Sequence, residues 1–140
     1  MKRVKIFLYT DGASRGNPGP GAIAVIIFDE NGDLVEKYGE YIGRATNNEA
    51  EYRALIKGLE LVKRYCAKEV RCFSDSEVLV RQLNGTYKIK KSHLFDLFQK
   101  VKSLEKGFEK ISYENVRRTD PNIEIADKMV NQILDEKSFS

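Results

Sequence analysis

Hydrophobic and polar positions change period several times along the chain, and each change marks an element. Residues 4–9, Val-Lys-Ile-Phe-Leu-Tyr, are rich in β-branched and aromatic side chains and predict a strand that delivers Asp11 to its end. A turn rich in glycine and proline follows, Gly12 to Gly21. Residues 21–29 are apolar at almost every position, which predicts a central strand covered on both faces. Asn31-Gly32 is a hairpin signature, and residues 34–42 alternate as a more exposed third strand. Three consecutive strands joined by turns make an antiparallel meander.

At Thr46 the period becomes helical. Thr46 or Asn47 can cap a helix whose stripe is Ala54, Leu55, Leu59, Leu61 and Val62. Glu51 shares that inward stripe and Glu49 lies off it. A strand over 70–74 ends at Asp75. Ser76 is a candidate cap for the short helix that follows, which closes at Asn84-Gly85. A helix between two strands fits a right-handed crossover, which sets this strand parallel to the first and brings Asp75 to the edge that carries Asp11. After a basic connector (Tyr87, Lys88, Lys90, Lys91), Ser92 caps a helix that Gly107 stops. Residues 109–116 predict a fifth strand, and 117–122 a loop. The last helix has the stripe Ile123, Ala126, Val130, Ile133 and Leu134, with Asp127 on or beside it.

Composition narrows the class. The chain has 140 residues, 41% hydrophobic and 32% charged, which fits one globular domain over 1–140. No apolar run is long enough to span a bilayer. Nothing resembles a signal-peptide cleavage region, and Cys66 and Cys72 form neither a C-x-x-C pair nor a disulfide framework, so a reduced cytoplasmic setting is expected. A net charge of +3 permits a polyanionic partner without requiring one.

Asp11, Glu51, Asp75 and Asp127 now share a description: two end strands, and two face inward from the first turns of helices. Clustered anions repel and take up protons, a conflict that divalent cations remove. Mg²⁺ suits such all-oxygen sites, and two ions roughly 3.5–4 Å apart serve phosphodiester hydrolysis. One histidine, no Walker loop, no G-x-S-x-G and no zinc-ligand spacing leave no competing chemistry.

Together the segments Tyr9-Thr10-Asp11-Gly12, Gly16 to Gly21, Thr46 to Glu51, Ser74-Asp75-Ser76 and Asn122 to Asp127 resemble type 1 ribonuclease H over essentially the whole chain. The resemblance implies an α/β, ribonuclease H-like five-stranded mixed sheet, three strands antiparallel and two parallel, with flanking helices. It implies hydrolysis of the RNA strand of RNA–DNA hybrids with Mg²⁺, or Mn²⁺ as a substitute, leaving 5′-phosphate and 3′-hydroxyl ends. By the same resemblance Asp11, Glu51, Asp75 and Asp127 are catalytic metal ligands, with Asp11 shared by both ions. Asn17, Asn47 and Asn48 contact the minor groove, where amides can read 2′-hydroxyls. Arg44 and Thr46 form a pocket for a DNA-strand phosphate.

Simpler roles stay open at several positions: helix capping for Asn47 and Asn48, a solvated charge for Arg44, and a solvated connector for the lysines. The alternatives to hybrid cleavage are a non-cleaving nucleic-acid-binding module and a relative that also cuts double-stranded RNA. No obligatory protein partner is evident. The chain departs from the family pattern in three ways. The extra basic helix of many relatives is reduced to residues 85–91. No separate hybrid-binding domain is expected ahead of Met1. The loop before the last carboxylate has Arg117 and Arg118 where many relatives have a histidine, and the spacing from Asn122 to Asp127 is one residue longer than is common. His93 reads as a helix-start or surface residue.

Overall fold

The apolar run that predicts the second strand lies at the centre of the molecule. In a computed structural model, which describes residues 3–65, 68–86, 88–89 and 93–138, this strand is β2 (Gly19–Asp29). It is antiparallel to both β1 (Lys5–Ser14) and β3 (Leu34–Ala45). Its side chains alternate between two helical layers. Val25 and Ile27 join a core with α1 (Asn47–Val62) and α3 (His93–Glu105), while Ala22, Ala24 and Ile26 pack on α4 (Pro121–Ser138). An apolar residue at every position is what two-sided burial requires.

The sheet order is β3-β2-β1-β4-β5, with β4 (Glu69–Ser74) parallel to β1 and β5 (Lys110–Asn115) parallel to β4. The expected five-stranded mixed sheet with helices on both faces is therefore present. Helix α2 (Glu77–Leu83) follows β4, and the Ser76 hydroxyl caps it by accepting from the Leu79 N–H at 3.2 Å.

Several boundaries differ from the sequence expectation: β2 starts at Gly19 rather than 21, β3 runs on to Ala45 rather than 42, and two further shifts bear on the site. Asp11 does not end β1, which continues to Ser14. The two neighbours of β1 stop at different heights: pairing with β4 ends at Tyr9 opposite Phe73, while pairing with β2 runs on to Ser14 opposite Gly21. Asp11 thus lies where β1 keeps one neighbour and has outrun the other. Helix α4 also begins earlier than expected. The Asp120 carboxylate accepts from the N–H groups of Asn122 and Ile123, and Pro121 takes the first helical position, where its missing N–H costs nothing. Ser92, Tyr87, Lys90, Lys91 and Cys66 lie outside the described residues; Lys88 is exposed.

Candidate active site

Helix α1 is set in place by its first turn. Thr46 is the cap: its hydroxyl accepts from the Glu49 N–H at 3.1 Å, and the Glu49 carboxylate accepts from the Thr46 N–H at 2.7 Å. This reciprocal box occupies Glu49 and holds its carboxyl below the usual range, chiefly through the bond from the Thr46 N–H. Glu51 is two residues on, about 200° around the helix from Glu49, and so faces the sheet. It is 5% exposed, and its Oε1 accepts from the Gly12 N–H at 2.9 Å. That contact needs a glycine, because a Cβ at position 12 would lie 2.3 Å from the Ala50 carbonyl oxygen. Gly12 therefore serves the approach of α1 to β1 rather than a turn.

Pleating places Asp11 on the same face of β1 as Tyr9, opposite to Leu8. Asp11 is 5% exposed, and its Oδ2 is buried with no hydrogen-bond partner. Asp11, Glu51 and Asp75 each offer an oxygen within 4.8 Å of the others. The crowding shows in their proton affinities. Burial, then the charges of Asp75 and Asp127, raise the Asp11 pKa to about 7. Burial, then Asp11 and Asp75, raise Glu51 well above its ordinary value. Asp75 is raised by burial, with Arg118 opposing.

Asp127 lines the same open cleft of about 390 Å³ but is not one of the tight trio. Its Oδ2 accepts instead from Asn131 Nδ2 at 3.3 Å. Arg118 also lines the cleft, with its Nε 3.8 Å from Asp75 Oδ2 and its side chain 82% exposed. Of the two loop arginines, Arg118 is the one that reaches the site.

The expected substrate-binding residues gather around the start of α1. Asn47 and Asn48 line the cleft. Asn17 Oδ1 accepts from the Asn47 N–H at 3.1 Å, and Asn47 Oδ1 from the Ser14 N–H at 3.4 Å. Both amide oxygens are thus committed to backbone, and their NH₂ groups remain as donors. Thr46 serves as the helix cap, with its hydroxyl hydrogen still available to donate, and Arg44 is exposed near the end of β3. His93 is an exposed residue at the start of α3, outside the cleft lining. Sequence reasoning missed Asn131, for which the i,i+4 spacing from Asp127 was a usable signal. It also missed Arg15, for which there was none.

The trio fits a divalent cation. Three carboxylates converge, and the unpartnered Asp11 Oδ2 is a buried oxygen that a hard cation would satisfy. With the strand order 3-2-1-4-5, this makes the molecule an α/β protein of the ribonuclease H-like fold with a cluster of convergent carboxylates.

A family model described as reverse transcriptase-like matches residues 9–133. The crystal structure of ribonuclease H1 from the halophilic archaeon Halobacterium salinarum aligns with a TM-score of 0.89 at 36% identity, covering 94% of this chain and 98% of that one. LC11-RNase H1, isolated from compost by a metagenomic approach and solved in complex with an RNA/DNA hybrid, aligns at 0.87 and 38% identity over 96% and 99%. The bifunctional protein Rv2228c of Mycobacterium tuberculosis is 35% identical over 98% of this chain, which spans 37% of that protein's length. The chain belongs to the ribonuclease H family.

Proposed function

We propose that the chain is a divalent-metal-dependent endonuclease that hydrolyses the RNA strand of RNA–DNA hybrids, with residues 1–140 acting as one catalytic domain. The observation that carries this is the converging trio of Asp11, Glu51 and Asp75, the first two buried, with its unpartnered Asp11 Oδ2, because a module that only binds nucleic acid has no use for buried anions. A relative of similar size and fold, LC11-RNase H1, was solved with an RNA/DNA hybrid.

Asp11, Glu51, Asp75 and Asp127 would hold Mg²⁺, two ions with substrate bound, and Mn²⁺ could substitute. Bound there, the metal supplies positive charge against the phosphate oxygens and favours deprotonation of the attacking water. In the hydrolysis a water oxygen bonds to phosphorus, the bond from phosphorus to the 3′ oxygen breaks, and that oxygen takes up a proton. The products carry 5′-phosphate and 3′-hydroxyl ends.

The chain's own residues position the substrate. The NH₂ groups of Asn17, Asn47 and Asn48 would donate to minor-groove acceptors and 2′-hydroxyl oxygens, which favours RNA in the cleaved strand. Arg44 and Thr46 would hold a phosphate of the DNA strand. Arg118, whose guanidinium has no acceptor atom to offer, would act on the scissile phosphate through charge.

No described helix is long and apolar enough to cross a membrane. The cytoplasm is part of the proposal and rests on the sparse cysteine usage.

One gel tests the reading, comparing labelled hybrid, double-stranded RNA, double-stranded DNA and single-stranded RNA, each with Mg²⁺, Mn²⁺ or EDTA. Cutting confined to the RNA strand of the hybrid and dependent on metal is expected. Cleavage in excess EDTA, or equal cutting of both strands, would overturn it.

A further inference from the structure

Of the four carboxylates, Asp127 stands apart, with a geometry of its own. It sits on α4, outside the trio that β1, α1 and β4 bring together. Asn131, one helical turn further on, donates from Nδ2 to both the Asp127 carbonyl oxygen (3.1 Å) and Asp127 Oδ2 (3.3 Å). An amide that could flip would present oxygen to the carboxylate and repel it. Here Arg15 opposes the flip: its Nη2 lies 3.4 Å from Asn131 Oδ1 and 3.3 Å from the Asn131 carbonyl oxygen and donates to both. Arg15 is itself held by Asp135 on the next turn, with Nη2 2.6 Å from Oδ1, and its own N–H donates to the Pro20 carbonyl at 2.8 Å.

We propose that Asn131 is a positioning residue for Asp127, with Arg15 fixing the amide so that its donor end faces the carboxylate. The relay ties the loop between β1 and β2 to the last carboxylate. Glu51 is locked by a backbone N–H; Asp127, half-exposed on α4, is locked by this borrowed side chain. The inference rests on the reading of Asp127 as a metal ligand, because a donor on Oδ2 matters to function only if the carboxylate must be presented in one orientation.

The test uses the full chain carrying Asn131→Ala, Asp127→Asn, both together, and Gln132→Ala as a control on the same helix. Two readouts are taken for each: the Mn²⁺ concentration giving half the metal-induced rise in Tm without nucleic acid, and the half-saturating Mn²⁺ for hybrid cleavage with kcat and KM. Asn131→Ala is expected to raise both metal midpoints about three- to tenfold, as suits a partly exposed hydrogen bond to a charged group. KM for the hybrid should stay within about twofold, and Tm in EDTA within about 2 °C, since solvent-exposed contacts contribute little to folding. In the Asp127→Asn background the same change should add nothing, because the pair acts as a unit.

The positioning role is overturned if Asp127→Asn shifts the midpoints and Asn131→Ala does not. It is equally overturned if Asn131→Ala has its full effect in the Asp127→Asn background. If Asp127→Asn leaves every readout unchanged, the ligand assignment fails and takes this inference with it, a result distinct from the other two.

Discussion

The two walls of the cleft hold their carboxylates in opposite ways. On the wall formed by β1 and α1, Asp11 and Glu51 are buried and short of partners; Glu51 has one backbone donor, and Asp11 Oδ2 has none. On the opposite wall Asp75 and Asp127 are more open, and side chains manage them: Arg118 beside Asp75, and Asn131 on Asp127. A buried anion without a partner is expensive, so the first wall stores a demand for positive charge that a cation can meet. The second wall can be tuned residue by residue, through Arg118 and Asn131.

Mutations should separate the walls. The largest expected effect is from Asp11→Asn, which should abolish hybrid cleavage while raising Tm in EDTA, because one of the crowded anions is gone. A lower Tm would give Asp11 a structural role instead. Next, Glu51→Gln should slow single-turnover cleavage at least about a hundredfold if charge at that point stabilises the transition state. Glu49→Gln should cost little, since glutamine can complete the same capping box. A reversal of that order would place the catalytic carboxylate on the wrong face of α1.

On the open wall, Arg118→Ala should lower kcat about tenfold with KM nearly unchanged, the pattern of a charge used more in the transition state than in binding. The smallest effect should be from His93→Ala, within about threefold in single-turnover rate, well under the roughly hundredfold expected for a general base. A hundredfold loss in that variant with normal folding would mean that the histidine reaches the site and that the open wall is not run by Arg118.

The buried wall was the more legible of the two in the sequence, for a physical reason. Its information is local: Thr46 and Glu49 announce the cap, the stripe through Ala54 and Leu55 carries Glu51 inward, and the unbroken run at residues 21–29 announces a strand covered on both faces. What was not legible depends on contacts between distant segments. The continuation of β1 through Asp11 to Ser14 is set by β2 outrunning β4, which no pattern within β1 records. The distance of Asp127 from the trio depends on where α4 crosses the sheet, and the choice of Arg118 over Arg117 on how the loop turns. Asp120-Pro121 is a local signal, a cap followed by a proline at the first helical position, but the apolar stripe starts later, at Ile123, and by itself places the helix start too late. Arg15 inside a glycine-rich loop carries no hint that its partners are residues 131 and 135.

The stored demand on the buried wall can be measured without any substrate. The Asp11 pKa lies at about 7 in the folded, metal-free protein, against 3.8 as its ordinary value. Below the ordinary value both folded and unfolded chains carry the proton. Between the two values the unfolded chain is ionised while the folded one keeps its proton, so the folded state binds more protons and its stability falls as pH rises. Tm in EDTA should therefore be compared between pH 4 and 8 for the natural chain and Asp11→Asn. The natural chain should lose stability, relative to the variant, as pH climbs towards and through about 7, and saturating Mn²⁺ should restore most of that loss. Parallel curves for the two proteins, with no difference that grows with pH and none that Mn²⁺ removes, would contradict a buried carboxylate centre waiting for a cation.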